Sequence, residues 1–403
     1  MRTWALDRDT LARRNQQLAE AFHATPMRHK LRQRLITHIS RFPFAPLTSK
    51  IARVLFIRPD HIGDVLLSTP AIRAYKEAQP FTEVHVLVGA WSAPILANYD
   101  EIDQVLTVRF PGFDRQANTK NVIAPYTDLL KISRQLRRIG YTSAVIMRPD
   151  HWWGAMLAHV AGIKDIVGYD LPEIRPFLTR KVPFQHIHAI RQNMRLVEHV
   201  TRPIDDDNVP YDFPILDNER DFIAELLPTW GIGASQKIIC IHPGAGTRVK
   251  QWEAQKWAQV ADALSEQTDA QIVFTGSNAE RALIAHIQSM CQHKTHSSGE
   301  ALSLEQLAAL YERAMLVLGC DSGPLHIAAA VKTATVGLFG PADPIEFAQW
   351  GDRHKHIVLT SNLGCRPCRI LDWGDDDLAY HPCVRDISIG EVLSATHRIL
   401  NSI

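Results

Sequence analysis

Short apolar runs alternate with amphipathic helical stretches twice along this chain, an order that leaves a parallel sheet covered by helices as its natural outcome. The first series opens with VLFI after Ala52. It continues through RPDHIGDVLLSTPAIRAYKEAQP, a turn and an amphipathic helix, to EVHVLVG (Glu83 to Gly89) and a short helix near residues 93–98. VLTV (105–108), a helix from about Tyr126 to Ile139 and SAVIM (143–147) complete it. The second series restarts at KIICIHPGAGTRVKQW. It runs through a helix over 253–266, the strand AQIVFTG, helices from Ala279 and over 304–313, and the strand ATVGLFG. Between them, residues 201–233 are rich in Pro, Asp and Asn. At 403 residues the chain has room for two cores. The expected domains are a basic helical extension (1–50), a first α/β domain (51–205), a second (206–387) and a closing helix (388–403).

Within the second series, LVLGCDSGPLHIAAA (Leu316 to Ala330) reads as strand, turn and helix. Asp321 or Ser322 suits the cap, Pro324 the first helical turn, and Gly323 a close approach to backbone. Unpaired N–H groups at such a helix start favour phosphate or diphosphate, although an ordinary capped helix would share the pattern. Two further strand-end turns, HPGAGTRVK (242–250) and TGSNAE (275–280), belong with it. Gly244 and Gly246 free the backbone for phosphate, Lys250 brings a point charge, and Glu280 is an acceptor for ribose hydroxyls. The third glycine of the dinucleotide fingerprint and the GKS or GKT of a P-loop are both missing, so a nucleoside diphosphate is the expected ligand.

The first series echoes itself. Arg58, Pro59, Asp60 and His61 recur as Arg148, Pro149, Asp150 and His151, each set after a strand and before a helix, where open α/β sheets bind ligands. Arg58, Asp60, His61, Arg148 and Asp150 are therefore candidates for an acceptor-side cleft. Asp64, opening a helix after Gly63, is a candidate general base, with capping of its own helix as the structural alternative. The acidic runs 205–207 and 375–377 match a loose DxD pattern but read as solvated loops. Cys365, Cys368, His381 and Cys383 form CRPC followed by HPC, a spacing able to hold a metal or simply to supply reduced thiols. Cys240, Cys291 and Cys320 read as apolar filler.

Forty-four basic side chains face 43 acidic ones, and 46% of residues are apolar, the profile of a globular protein; nucleic acid is not an expected partner. Six cysteines and no apolar leader behind the first residues point to a reducing, cytoplasmic setting. Residues 1–53 hold eleven Lys or Arg against three Asp or Glu. Leu31, Leu35, Ile36 and Ile39 recur at helical spacing among Arg28, Lys30, Arg32 and Arg34. That pattern fits peripheral contact with the inner face of an anionic membrane, or a solvated helix packed on the next domain.

Taken in order, RPDHIGDVLLSTPAIR, HPGAGTRVKQW and SLEQLAALYERAMLVLGCDSGPLHIAAA with LFGPADP resemble glycosyltransferase family nine, the ADP-heptose:lipopolysaccharide heptosyltransferases and their relatives. The resemblance spans about 54–388. It implies a GT-B architecture: two facing Rossmann-like domains with parallel sheets, acceptor domain first, nucleotide-sugar domain second, the last helix crossing back. It implies inverting transfer from a nucleotide-diphosphate sugar such as ADP-heptose to a lipopolysaccharide-core or related glycan, with no cofactor and no essential metal. By the same resemblance Asp64 is the base and Lys250 neutralises the diphosphate. Asp321 holds the donor sugar, Ser322 and Gly323 present backbone donors to phosphate, and Glu280 lies near the nucleoside. Thr247 and His326 fall in the same donor-side turns. Lys250 is followed here by Gln251, Trp252 and Glu253 where the family commonly has Trp and Pro. A sugar-nucleotide epimerase and a non-catalytic nucleotide-sugar binder remain alternatives.

Overall fold

The computed structural model describes residues 7–23, 27–45, 51–113, 123–204, 209–298, 302–371 and 373–402. They fall into two compact units, one of residues 25–211 and one of residues 1–24 with 212–403.

Two helices come first, α1 (Arg8–His23) and α2 (Met27–Ile39). The unit that contains α2 continues with β1 (Arg53–Ile57), α3 (Ile62–Leu66), α4 (Thr69–Ala78), β2 (Glu83–Val88), β3 (Gln104–Thr107) and α5 (Ala124–Ile139). It ends with β4 (Ser143–Ile146), α6 (Trp152–Val160), β5 (Asp165–Tyr169), β6 (Arg180–Val182) and α7 (Ala189–Glu198). All pairings are parallel, in the order β3-β2-β1-β4-β5-β6. Val54, Leu55, Phe56 and Ile57 are fully buried because helices cover both faces of the sheet, which is why VLFI reads as a continuous apolar run. Leu129 and Leu136 of α5 and Trp153 and Leu157 of α6 close one face over Leu55, Ile57 and Ile146. Periodicity does not announce β5 or β6, since DIVGY has a glycine inside and RKV is only three residues long.

The other unit, with α1, comprises α8 (Asp217–Thr229), β7 (Ile238–His242), α9 (Ala254–Thr268), β8 (Gln271–Phe274), α10 (Arg281–Gln288) and β9 (His296–Ser297). There follow α11 (Leu304–Arg313), β10 (Leu316–Cys320), α12 (Gly323–Ala330), β11 (Ala334–Phe339), α13 (Pro344–Phe347), β12 (His356–Thr360) and α14 (Ile389–Leu400). Its sheet, again wholly parallel, runs β12-β11-β10-β7-β8-β9. Counted within the unit, that is the same order as in the first sheet, the doubly wound arrangement in which strand order reverses beside the first strand. Trp257 of α9 is fully buried, edge-on to Trp252 at 4.8 Å between ring centroids, over a core of Ile239, Ile241, Leu318 and Val336.

Two expectations about the start of the chain change. The basic stretch is not one extension but divides between the units. On α1, Arg8 pairs with Asp386 at 2.7 Å and Asn15 donates to the Tyr380 carbonyl at 2.7 Å. On α2, Ile36 is buried in the first core with Ile39 packed against it, and Gln33 donates to the Pro172 carbonyl. The apolar stripe that suggested a membrane surface thus partly serves packing, though Leu35 remains exposed. The closing helix α14 packs on α9, β11 and β12 of the unit of residues 212–403. A Ser388–Glu391 capping box starts it, Trp252 Nε1 donates to the Ile387 carbonyl just before it, and Val392, Ala395 and Ile399 enter the core with α9 and β11. The acidic run 205–207 lies outside the described residues. Among those described, no helix is long and apolar enough to cross a membrane.

Because Ile399 has no exposed surface, Ile399→Ala should leave a cavity and cost about 2–5 kcal/mol. Denaturant titration followed by tryptophan fluorescence, which reports Trp252 and Trp257 nearby, measures it; a cost below about 1 kcal/mol would mean that α14 is not a core element.

Candidate active site

The two RPDH turns leave adjacent strands. Ile57 of β1 is in register with Ile146 of β4, so residues 58–61 and 148–151 emerge side by side at the reversal point of the sheet. They also bond to each other: Arg58 Nη1 donates to the Met147 carbonyl at 2.7 Å, and Arg148 Nη1 reaches Asp60 Oδ1. Arg58 Nε lies 2.8 Å from Asp60 Oδ2, a charge contact with poor hydrogen-bond alignment. The Asp60 side chain is only 3% exposed. Burial alone would push its carboxyl up, but Arg58 and Arg148 outweigh burial and hold it below the usual range. Burial tends to lower the Arg148 charge, and Asp60 and Asp150 overcome that and stabilise it. Asp150 sits at the exposed side, 2.7 Å from Arg148 Nε.

Asp64 lies in the first turn of α3 but does not cap it. His61 occupies the cap position, and no side-chain bond caps the helix there. The Asp64 carboxylate is 30% exposed, with Oδ1 3.6 Å from Arg58 Nη2. His61 meets the Trp91 ring at 6.0 Å, and Trp91 Nε1 and Ser92 Oγ both donate to the Asp60 carbonyl, at 3.0 and 2.8 Å. His151, the partner of His61 in the echo, is buried among Phe110, Phe113 and Trp153 with neither ring nitrogen hydrogen-bonded among the described residues. Burial dominates there, holding its pKa down to about 3. Its ring is therefore neutral and packs rather than titrates near neutral pH.

In the second unit, β7 and β10 are the strands flanking the reversal, and the turns after them carry the phosphate-binding candidates. A 3₁₀ turn over Arg248–Lys250 brings Lys250 Nζ to 2.6 Å from Asp321 Oδ2. Asp321 is nearly buried, whereas Lys250 keeps partial exposure. Neither Asp321 nor Ser322 caps α12: Ser322 occupies the cap position, but its hydroxyl donates to the Cys320 carbonyl at 3.0 Å. The first-turn N–H groups, beginning at Gly323, thus have no side-chain acceptor at the cap, which keeps the helix start available to an anion. Thr247 has a buried hydroxyl without a partner among the described residues, Gly246 is exposed beside it, and His326 is buried in α12.

Gly244 has a different role from the expected one. A Cβ built there would stand 1.7 Å from Glu280 Oε1, so its bare backbone admits the Glu280 carboxylate rather than leaving open space for phosphate. Glu280 is fixed by Ser277, whose N–H and hydroxyl both donate to Oε2 at 2.8 Å. Under it lies His242, a residue that nothing in the spacing singled out. Its Nδ1 is 3.2 Å from Thr275 Oγ1 and its Nε2 3.9 Å from Glu280 Oε1; burial lowers its pKa, with Glu280 opposing.

Cys365, Cys368, His381 and Cys383 do line one small cavity, together with Arg366 and Trp373. Among the described residues, however, no three His, Cys, Asp or Glu side chains stand where they could hold a metal ion. The Trp373 ring stacks on His381 at 3.8 Å, and the Arg366 charge is felt by all three thiols. Burial pushes the Cys383 thiol up to about 12 and raises Cys365 and Cys368 as well. Of the second acidic run, Asp377 pairs with Arg14 at 3.4 Å, a structural contact.

Two doubly wound units, each with its candidate side chains on the turns at the reversal point, have the fold of the GT-B glycosyltransferases. The chain belongs to glycosyltransferase family 9 (heptosyltransferase), whose model matches residues 129–371, and it is a glycosyltransferase. It is 29% identical over 299 residues to lipopolysaccharide heptosyltransferase 3 of Escherichia coli K12, covering 72% of this chain and 82% of that protein. A family 9 glycosyl transferase from Veillonella parvula superposes with a TM-score of 0.72 at 20% identity, over 89% of this chain and all (100%) of that one. For E. coli ADP-heptose lps heptosyltransferase II the TM-score is 0.68 at 19% identity, over 87% of this chain and 99% of the other.

Removing one member of a buried ion pair strands the other charge. Asp60→Asn should therefore destabilise the protein by about 3–5 kcal/mol, and Asp150→Asn, at the exposed end of the same cluster, by less than about 1 kcal/mol. Thermal melts of the two variants test this; equal losses would contradict the burial ordering.

Proposed function

We propose that the protein is an inverting heptosyltransferase that moves heptose from ADP-heptose to a lipopolysaccharide-core acceptor. The observation that carries this reading is the pairing of Lys250 with Asp321 beside the uncapped start of α12, at the reversal point of the second sheet. The names of the relatives support the donor and the acceptor class. In the proposed step Asp64 accepts the proton of an acceptor hydroxyl while that oxygen attacks the anomeric carbon. The anomeric carbon–oxygen bond breaks, and ADP leaves with the bonding pair. Charge grows on the departing diphosphate, where Lys250 and the α12 N–H groups meet it. Preorganised donors of this kind supply much of the acceleration in group transfer. Asp321, released from Lys250 as the diphosphate arrives, would accept from the sugar hydroxyls, and Glu280 from the ribose. The acceptor's anionic groups would meet Arg148, which Asp60 and Asp150 hold at the mouth of the first-unit turns. No metal and no cofactor enters the step.

A contact with anionic lipid, where such an acceptor is anchored, is favoured by the exposed side of α2 and the turn that follows it. There Leu35 and Phe42 stand exposed beside Arg34 and Arg41. The corresponding setting is the cytoplasmic face of the membrane.

Asp64→Asn should lower turnover by about 10² to 10⁴ with unchanged ADP affinity and melting temperature. Lys250→Ala should weaken ADP in calorimetry; a wild-type ADP affinity in that variant, or wild-type turnover in Asp64→Asn, sinks the corresponding role. Replacing Leu35 and Phe42 by Ser, and Arg34 and Arg41 by Gln, should reduce co-sedimentation with phosphatidylglycerol vesicles severalfold at low salt. Identical pelleting of variant and wild type would leave α2 a packing element only.

A further inference from the structure

Each edge of the Arg58 guanidinium meets a different partner. Nε lies 2.8 Å from Asp60, Nη1 donates to the Met147 carbonyl at 2.7 Å, and Nη2 stands 3.6 Å from Asp64 Oδ1. The backbone is fixed as well, since the Arg58 N–H donates to Leu87 O at 3.0 Å and so continues the β1–β2 ladder. With 6% of its side chain exposed, Arg58 does not have the freedom of a surface arginine.

Asp60 is equally constrained, its carboxylate between Arg58 and Arg148 and its carbonyl accepting from Trp91 and Ser92. Other charged or titratable groups near this point among the described residues include His61 on the same turn, Arg148, Asp150 and His151 on the β4–α6 turn, and Tyr169 of β5, which feels the Arg58 charge and donates its hydroxyl to the Gln192 carbonyl. Arg148 is engaged by Asp60 and Asp150, and His151 is neutral and walled in by aromatic rings. Trp91 and Ser92 bring no charge. Arg58 thus gives a partly exposed Asp64 a cation at a fixed place, with the Arg148 charge also acting on that carboxylate, and a planar fork placed at two edges presents its third in one direction.

We propose that Arg58 is a positioning residue for sugar transfer: braced by Asp60 and the Met147 carbonyl, it fixes the orientation in which the Asp64 carboxylate receives the acceptor proton. The proposal rests on the reading of Asp64 as general base. It extends that reading by making the RPDH echo functional, because the second copy, through Arg148 on Asp60, and the Met147 carbonyl just before it hold the first copy's arginine in place.

The test is a double-mutant cycle. ADP-heptose and O-deacylated lipopolysaccharide from a heptose-deficient strain serve as substrates, and full-length wild type, Arg58→Gln, Asp64→Asn and the double variant are compared. Arg58→Gln should lower kcat by about 10- to 100-fold, the scale of a misplaced reacting group, while the KM for donor and the ADP affinity stay at wild-type values. In the Asp64→Asn background the same substitution should change the residual rate by less than about twofold, because Arg58 then has no base to orient. Arg58→Lys, which keeps the charge but lacks the fork, should fall between wild type and Arg58→Gln; it replaces Arg58→Gln in the cycle if the latter does not fold. A wild-type kcat in Arg58→Gln, or an equal loss on both backgrounds, overturns the proposal and leaves Asp64 as the base. Near-wild-type turnover in Asp64→Asn itself removes the base reading and the proposal with it.

Discussion

Parallel pairing of β1 with β4, and of β7 with β10, is the constraint from which the rest follows. A parallel sheet places every strand's carboxyl end on one edge, and the reversal of strand order opens a crevice between the helices that leave on opposite faces. Turns at that point need no special backbone to meet one another, since their strands are hydrogen-bonded neighbours. This is how Arg58 and Met147, Asp60 and Arg148, or Lys250 and Asp321, become contacts despite their separation along the chain.

Both sites use the same device, a cation and a carboxylate held together before any substrate arrives. Lys250 against Asp321 keeps a flexible side chain where a diphosphate would need it, and Arg58 against Asp60 does so for a rigid one. The two differ in burial. Asp60 is enclosed by arginines that outweigh its desolvation, so its charge is held in place within the unit. Lys250 remains partly exposed, and under the proposed function it would exchange Asp321 for phosphate oxygens.

The glycine-rich turn shows how a residue type can be read rightly and its purpose wrongly. Gly244 is required for close approach, as expected, but what approaches is Glu280 of the same chain. Cys365, Cys368, His381 and Cys383 likewise share a cavity, as their spacing suggests, yet Trp373 lies on the histidine ring and Arg366 shares the cavity with the thiols. In both cases spacing identifies neighbours, but not which of them touch.

By itself the sequence determined the two α/β series, the polar turns at their strand ends and the residue types on them, because strand and helix periodicity and strand-end polarity are local properties. Val54 to Ile57, the Ser388 cap and the DSGP turn could be read within a few residues. Only the tertiary structure decided that α1 joins the unit of residues 212–403, that α14 packs there, that Asp321 binds Lys250 instead of capping α12, and that His242 lies beneath Glu280. Those outcomes depend on which distant segments are adjacent, and adjacency is set by strand order and by which apolar face each helix covers. Neither leaves a mark in the spacing of nearby residues.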